Sequence, residues 1–195
     1  MPEPWNGHLK TAPLLFIGQN PAANRKGEKY PDSTWLNDGA KVLEFFEDRY
    51  RLGYSRKVPF LARALAIARK IFGPEVRPGC DFAITEAVRC KATKSVGVER
   101  AVKSCAELHL ATTMKLSGAR VIVCLGAIAR EAFTIATGER PRVEELFPWD
   151  GRLVVCFPHP SAWGGAGQDK LPDEVLRQLR EHLSLPLHDA PQGDR

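Results

Sequence analysis

Two short segments carry side chains suited to holding a small polar ligand. Near the start, GQNPA (18–22) offers the Asn20 amide, which donates and accepts hydrogen bonds but cannot take up a proton near neutral pH. Near the end, HPSAWGG (159–165) offers the His159 imidazole, the Ser161 hydroxyl and the Trp163 ring, with Pro160 restraining the backbone. Each segment also has a plain structural reading. Gly, Asn and Pro are turn formers, Ser161 suits a turn cap, and a lone histidine at a strand end is more often structural than catalytic. What favours chemistry is the pair: both segments directly follow apolar runs, one early and one late in the chain.

Several other chemistries are excluded by pattern. Neither GxxxxGK(S/T) nor GxGxxG occurs, so there is no phosphate loop. The five histidines, His8, His109, His159, His182 and His188, show no metal-ligand spacing, and no metal is implied. There is no GxSxG elbow. No lysine presents itself for a Schiff base. The five cysteines, Cys80, Cys90, Cys105, Cys124 and Cys156, form no CxxC pair and are odd in number, which argues against a disulfide framework.

The elements that must position the two segments are legible from hydrophobicity. Continuous apolar runs at 13–18, 81–85, 120–126 and 152–158 read as strands covered on both faces. Between and after them, helical patterns run over 36–50, 57–72, 98–117, 127–137 and 172–184, the last opened by Pro172 and Asp173. Alternating strands and helices imply an α/β fold, a three-layer αβα sandwich with a central four-stranded parallel sheet. Residues 1–184 read as one domain, and 185–195, poor in apolar residues, as a disordered tail. In such sheets ligands bind beyond the carboxyl ends of the strands. That rule gathers GQNPAANRKG, EAVRCKATKS, GAIAR and HPSAWGG on one rim.

Charge points the same way. The net charge of +5 permits a polyanionic partner without demanding one. Arg25, Lys26 and Lys29 follow the first segment, and Arg89, Lys91 and Lys94 follow the second strand. A charge run is usually a solvated face, but these two share an edge with both segments, which favours a phosphate-binding groove. No stretch is long and apolar enough for a membrane span, and the N-terminus lacks a secretory pattern, so a cytoplasmic protein is expected.

With these residues in view, the chain resembles the uracil-DNA glycosylase superfamily, whose two signature motifs GQNPA and HPS look like. FAITEAVRCKAT and ARVIVCLGAIAREAF are similar to the corresponding stretches of the family 4 enzymes, so the resemblance covers about 13–184. It implies a fold of the kind read above and a monofunctional glycosylase that flips uracil out of DNA and hydrolyses its N-glycosidic bond. By that resemblance His159 donates a hydrogen bond to the departing base and Asn20 aims the attacking water. Gly18, Gln19, Pro21 and Ala22 line the base pocket, with the Gln19 N–H reaching the base. Ser161 binds a neighbouring phosphate, and Trp163 wedges into the gap left by the flipped base. Trp35 falls where family 4 stacks a Phe on that base; a helix-start core aromatic is the other reading.

Three positions depart from the family pattern. Family 4 enzymes ligate an iron-sulphur cluster with four cysteines. Cys90 and Cys105 match two of them, and no cysteine precedes Gly18, so no cluster is expected. Glu86 stands where an Asn usually reads the uracil edge; an ionised carboxylate only accepts, unless burial protonates it, and pairing with a base such as Arg89 is the alternative. Ala22 stands where some members carry a Tyr that excludes the thymine methyl. The expectation is therefore a monomeric glycosylase for uracil in single- or double-stranded DNA. Its rivals are a binding protein of the same fold without turnover, a glycosylase for hypoxanthine or xanthine, and a small-molecule α/β enzyme.

Overall fold

Strand β1 (Leu14–Gly18) is buried along its whole length, as its unbroken apolar run requires. It lies inside a five-stranded sheet of order β2-β1-β3-β5-β4, made with β2 (Phe82–Glu86), β3 (Val121–Leu125), β4 (Leu146–Trp149) and β5 (Arg152–Phe157). The computed structural model describes residues 5–21, 41, 59–90, 92–159 and 171–184. The expected helix at 36–50, apart from Lys41, and the tail at 185–195 lie outside these residues.

Four strands are parallel, as the sequence implies, and they pair in register: Gly18 with Glu86, Ile17 with Cys124, and Cys124 with Cys156. The expectation of a four-stranded parallel sheet is corrected by β4, which pairs antiparallel with β5 through Trp149–Arg152. The hairpin signal is Asp150-Gly151. Both residues have positive φ, 49° and 71°, as a tight two-residue turn requires. Pro148 breaks the strand pattern in sequence, yet a proline is tolerated on this strand, which among the described residues is outermost and pairs with β5 alone. The opposite edge is also covered: the Asn6 N–H donates to the Ile84 carbonyl at 2.7 Å and the Ile84 N–H returns a bond at 2.9 Å.

Period-two alternation sorts the strand residues onto two faces. Leu14, Phe16, Phe82, Ile84, Val123, Val155 and Phe157 meet helices α1 (Pro59–Phe72) and α5 (Asp173–Ser184). Phe16 and Phe82 meet edge to face, centroids 5.4 Å apart. Leu15, Ile17, Ala83, Ile122, Cys124 and Val154 face the other helical layer. There the expected single helix at 98–117 is α2 (Val98–Cys105) and α3 (Ala111–Leu116) joined by a π-helical turn, Ala106–Leu110. Helix α4 (Ala127–Thr137) completes the layer, with its Phe133 ring edge-on to Trp149 at 5.3 Å.

Three arginines are committed to helix ends, where the last carbonyls lack partners. Arg152 donates to the Met114 carbonyl of α3 at 2.8 Å, and Arg120 to the His182 and Leu183 carbonyls of α5. Arg180 donates from Nε to the Lys70 carbonyl of α1 at 3.0 Å. Part of the positive charge is thus structural.

Candidate active site

The topology makes a switch point. From β1 the chain moves outward to β2, then returns to add β3 on the other side of β1. Loops leaving β1 and β3 therefore diverge, opening the crevice in which α/β sheets hold ligands. The first motif leaves β1 there. Gly18 is buried, Gln19 and Asn20 are half-buried, and Pro21 is buried. The pairing with β2 persists past the strand ends: the Ala87 N–H donates to the Gly18 carbonyl at 2.9 Å and the Val88 N–H to the Gln19 carbonyl at 3.0 Å. These bonds fix the direction in which Asn20 leaves the sheet.

The second motif leaves β5, on the far side of β3, so the two exits are two strand spacings apart, about 10 Å. His159 closes part of that gap by packing on Gly126, the residue that joins β3 to α4. A Cβ placed on Gly126 would lie 3.0 Å from the His159 Cδ2 and 3.1 Å from its Cβ. Gly126 also has φ 104° and ψ 166°, a backbone region essentially reserved for glycine. Its N–H donates to the Phe157 carbonyl at 2.8 Å, tying the β3 exit to the β5 exit. The imidazole is half-buried, and burial holds its pKa below the ordinary histidine value. At neutral pH the ring is neutral and carries one N–H to donate.

Glu86 ends β2 on the α1 side of the sheet, in register with Gly18. Its carboxylate and the Phe60 ring fill the space over Gly18: an added Cβ would lie 2.8 Å from the Phe60 Cζ and 2.9 Å from the Glu86 Cδ. The Glu86 Oε2 is buried. Gln19 projects to the opposite side, into a cavity of about 210 Å3 lined also by Ser95, Gly97, Val98, Glu99, Arg100 and Ile128. Asn20 is held at both ends: Nδ2 donates to the Pro21 carbonyl at 2.8 Å, and Oδ1 accepts from the Ser95 hydroxyl at 3.3 Å.

The basic residues separate into two environments. Lys94 is exposed, on a turn where it and Ser95 have φ of 51° and 57°. Arg89 is half-buried; its guanidinium donates to the Thr113 hydroxyl and to the His109 carbonyl within the π-helical turn, and burial lowers its pKa. Ala22, Arg25, Lys26, Lys29, Trp35, Lys91, Ser161 and Trp163 lie outside the described residues. Gly126, Phe60 and Ser95 join the site from structure. Gly126 and Ser95 had a sequence signal, since GAIAR and EAVRCKATKS both sit on the expected rim; Phe60 had none.

The five cysteines are free thiols in different settings. Cys90 is exposed, Cys105 is half-buried close to Arg89, and Cys124 and Cys156 are buried partners in neighbouring strands. Hydrogen bonding to Cys156, then burial, pushes the Cys124 thiol up, so it remains protonated. Among the described residues no three His, Cys, Asp or Glu side chains gather to hold a metal ion. Of the five cysteines only Cys90 and Cys105 match the family 4 ligand pattern, two short of the four thiolates such a cluster takes.

No helix among the described residues is long and apolar enough to cross a membrane. A search of curated proteins found no match to the chain. The family model described as Uracil DNA glycosylase superfamily matches residues 4–181, a span holding both motifs, all five strands and most of α5. An imidazole docked on the β3 exit, an amide leaving β1 and a match across this length agree: the chain belongs to the uracil DNA glycosylase superfamily, whose substrate is DNA.

Proposed function

We propose that the protein removes uracil from DNA by hydrolysing its N-glycosidic bond, leaving an abasic site, in the manner of the family 4 enzymes but without an iron-sulphur cluster. The observation that supports this reading is the packing of His159 on Gly126, which holds an N–H donor at the β3 exit, on the rim from which Asn20 also leaves the sheet. The nucleotide must first leave the base stack, since the reacting bond is inaccessible within it. As the C1′–N1 bond breaks, its electron pair passes to the base and negative charge develops on O2. The neutral His159 imidazole stabilises that oxygen by donating its N–H; preorganised donors of this kind contribute about 2.7 to 4 kcal/mol. Water adds its oxygen to C1′ from the opposite side and releases a proton to solvent. Asn20 orients that water; being an amide, it does not deprotonate it. Lys94, with Arg25, Lys26 and Lys91, binds the phosphates, Trp35 stacks on the base, Ser161 holds a phosphate and Trp163 fills the vacated stack, while Arg89 is engaged by Thr113 and His109.

The carboxylate over Gly18 supports a second reading. An ionised Glu86 accepts from a ring N–H but repels the carbonyl oxygens beside it; uracil and xanthine flank that N–H with two carbonyls and hypoxanthine with one, which favours hypoxanthine as the candidate base. One experiment decides both. End-labelled oligonucleotides carrying uracil, hypoxanthine or xanthine, single- or double-stranded, are incubated with the protein and treated with alkali. Cleavage at uracil supports the first reading and cleavage only at a purine supports the second. Retarded but intact DNA means a binding protein, and neither binding nor cleavage removes the DNA reading.

A further inference from the structure

The orientation of the Asn20 amide is decided by its two neighbours. A peptide carbonyl only accepts, so the Asn20 nitrogen faces Pro21, 2.8 Å away, and the oxygen must face the Ser95 hydroxyl at 3.3 Å. One N–H and one oxygen lone pair remain for a ligand. Ser95 comes from the loop after β2, 75 positions along the chain, so this contact is made only by the fold.

The loop adopts an unfavourable backbone to make it. Lys94 and Ser95 have φ of 51° and 57°, and Gly97 has 83°. Non-glycine residues enter this left-handed region singly and at an energetic cost. Core packing does not demand it, because Lys94 and Ser95 are exposed and Val96 is 74 % exposed. Strain of this sort persists at sites where the surrounding structure uses it. Here it delivers a hydroxyl to Asn20 at the mouth of the cavity that Gln19 and Ser95 both line.

We propose that Ser95 is a positioning residue: its hydroxyl locks the Asn20 amide so that the remaining lone pair and N–H are presented to the attacking water. This rests on the glycosylase reading above. The 3.3 Å separation is long for an O–H···O bond, in keeping with unliganded sites whose hydrogen bonds tighten when substrate arrives.

The test uses the full chain and Ser95→Gly, which removes the hydroxyl yet suits the left-handed backbone, with Ser95→Ala as a second variant. The first readout is 15N relaxation of the Asn20 side-chain amide, which needs no activity; its order parameter falls in both variants. The second is single-turnover cleavage of the base preferred in the oligonucleotide panel. The rate falls about tenfold with KM unchanged, as expected for one lost hydrogen bond. In an Asn20→Ala background, Ser95→Gly has no further effect on rate. An unchanged order parameter, an unchanged rate, or an equal loss with and without Asn20 overturns the proposal. A wild-type chain that cleaves none of the oligonucleotides overturns the glycosylase reading, and Ser95's part in a reaction falls with it, even if the amide loosens in the variants.

Discussion

The His159 side chain occupies the space that a Cβ on Gly126 would need, so a residue just past the end of β5 is held by the exit of β3. That contact, with the Gly126 N–H to Phe157 carbonyl bond, ties the second motif to the strand that lies between β1 and β5.

Gly126→Ala should impair this arrangement twice. The new methyl would meet the ring at 3.0 Å, and alanine would be forced to φ 104°. Strain of this class costs about 1 to 3 kcal/mol. Urea denaturation should show a loss of that order, and the variant refolded below its midpoint should cleave far more slowly while still binding DNA. Full activity would remove Gly126 from the site.

Burial lowers the His159 pKa, and the sign of the consequences follows. A neutral donor predicts that kcat stays level from about pH 6.5 to 8, whereas an imidazolium requirement would lose tenfold per pH unit above its pKa. Below about pH 6.5 the unfolded chain binds a proton before the folded chain does, so this residue's contribution to stability falls on acidification. Urea midpoints at pH 7.5 and 5.5 should therefore diverge more in the wild type than in His159→Gln.

Gly18→Ala places a methyl against the Phe60 ring, at 2.8 Å, and the Glu86 carboxylate. Overpacking of a tight site costs about 1 to 3 kcal/mol. Thermal unfolding should reveal the loss. Glu86→Ala in the same chain should recover part of it, because the carboxylate is one of the two obstacles.

The exposed Lys94 and the seated Arg89 should behave differently. Lys94→Ala should reduce the slope of log Kd against log salt by about 0.9, the loss of one phosphate contact, with stability unchanged. Arg89→Ala should lower stability by about 1 kcal/mol, since its guanidinium bonds the Thr113 hydroxyl and the His109 carbonyl. Fluorescence anisotropy across a salt series and urea titrations measure the two.

Hydrophobic pattern alone determined the four parallel strands and four helical segments, because runs such as Leu14–Gly18 admit only a strand buried on both faces. It also determined the rim on which Asn20 and His159 emerge, since parallel strands send all their following loops the same way. The edge strand Leu146–Trp149 escaped because Pro148 interrupts its pattern, although Asp150-Gly151 marks the hairpin. The interior of the 98–117 helix reads as continuous, since one extra residue in the turn at Ala106–Leu110 leaves no compositional trace. Only the tertiary structure decided that Gly126 seats the imidazole, that Phe60 and Glu86 close over Gly18, and that Ser95 reaches Asn20. Local sequence specifies which backbone shape each segment prefers; contacts between segments far apart along the chain depend on strand order and register, which no single segment encodes.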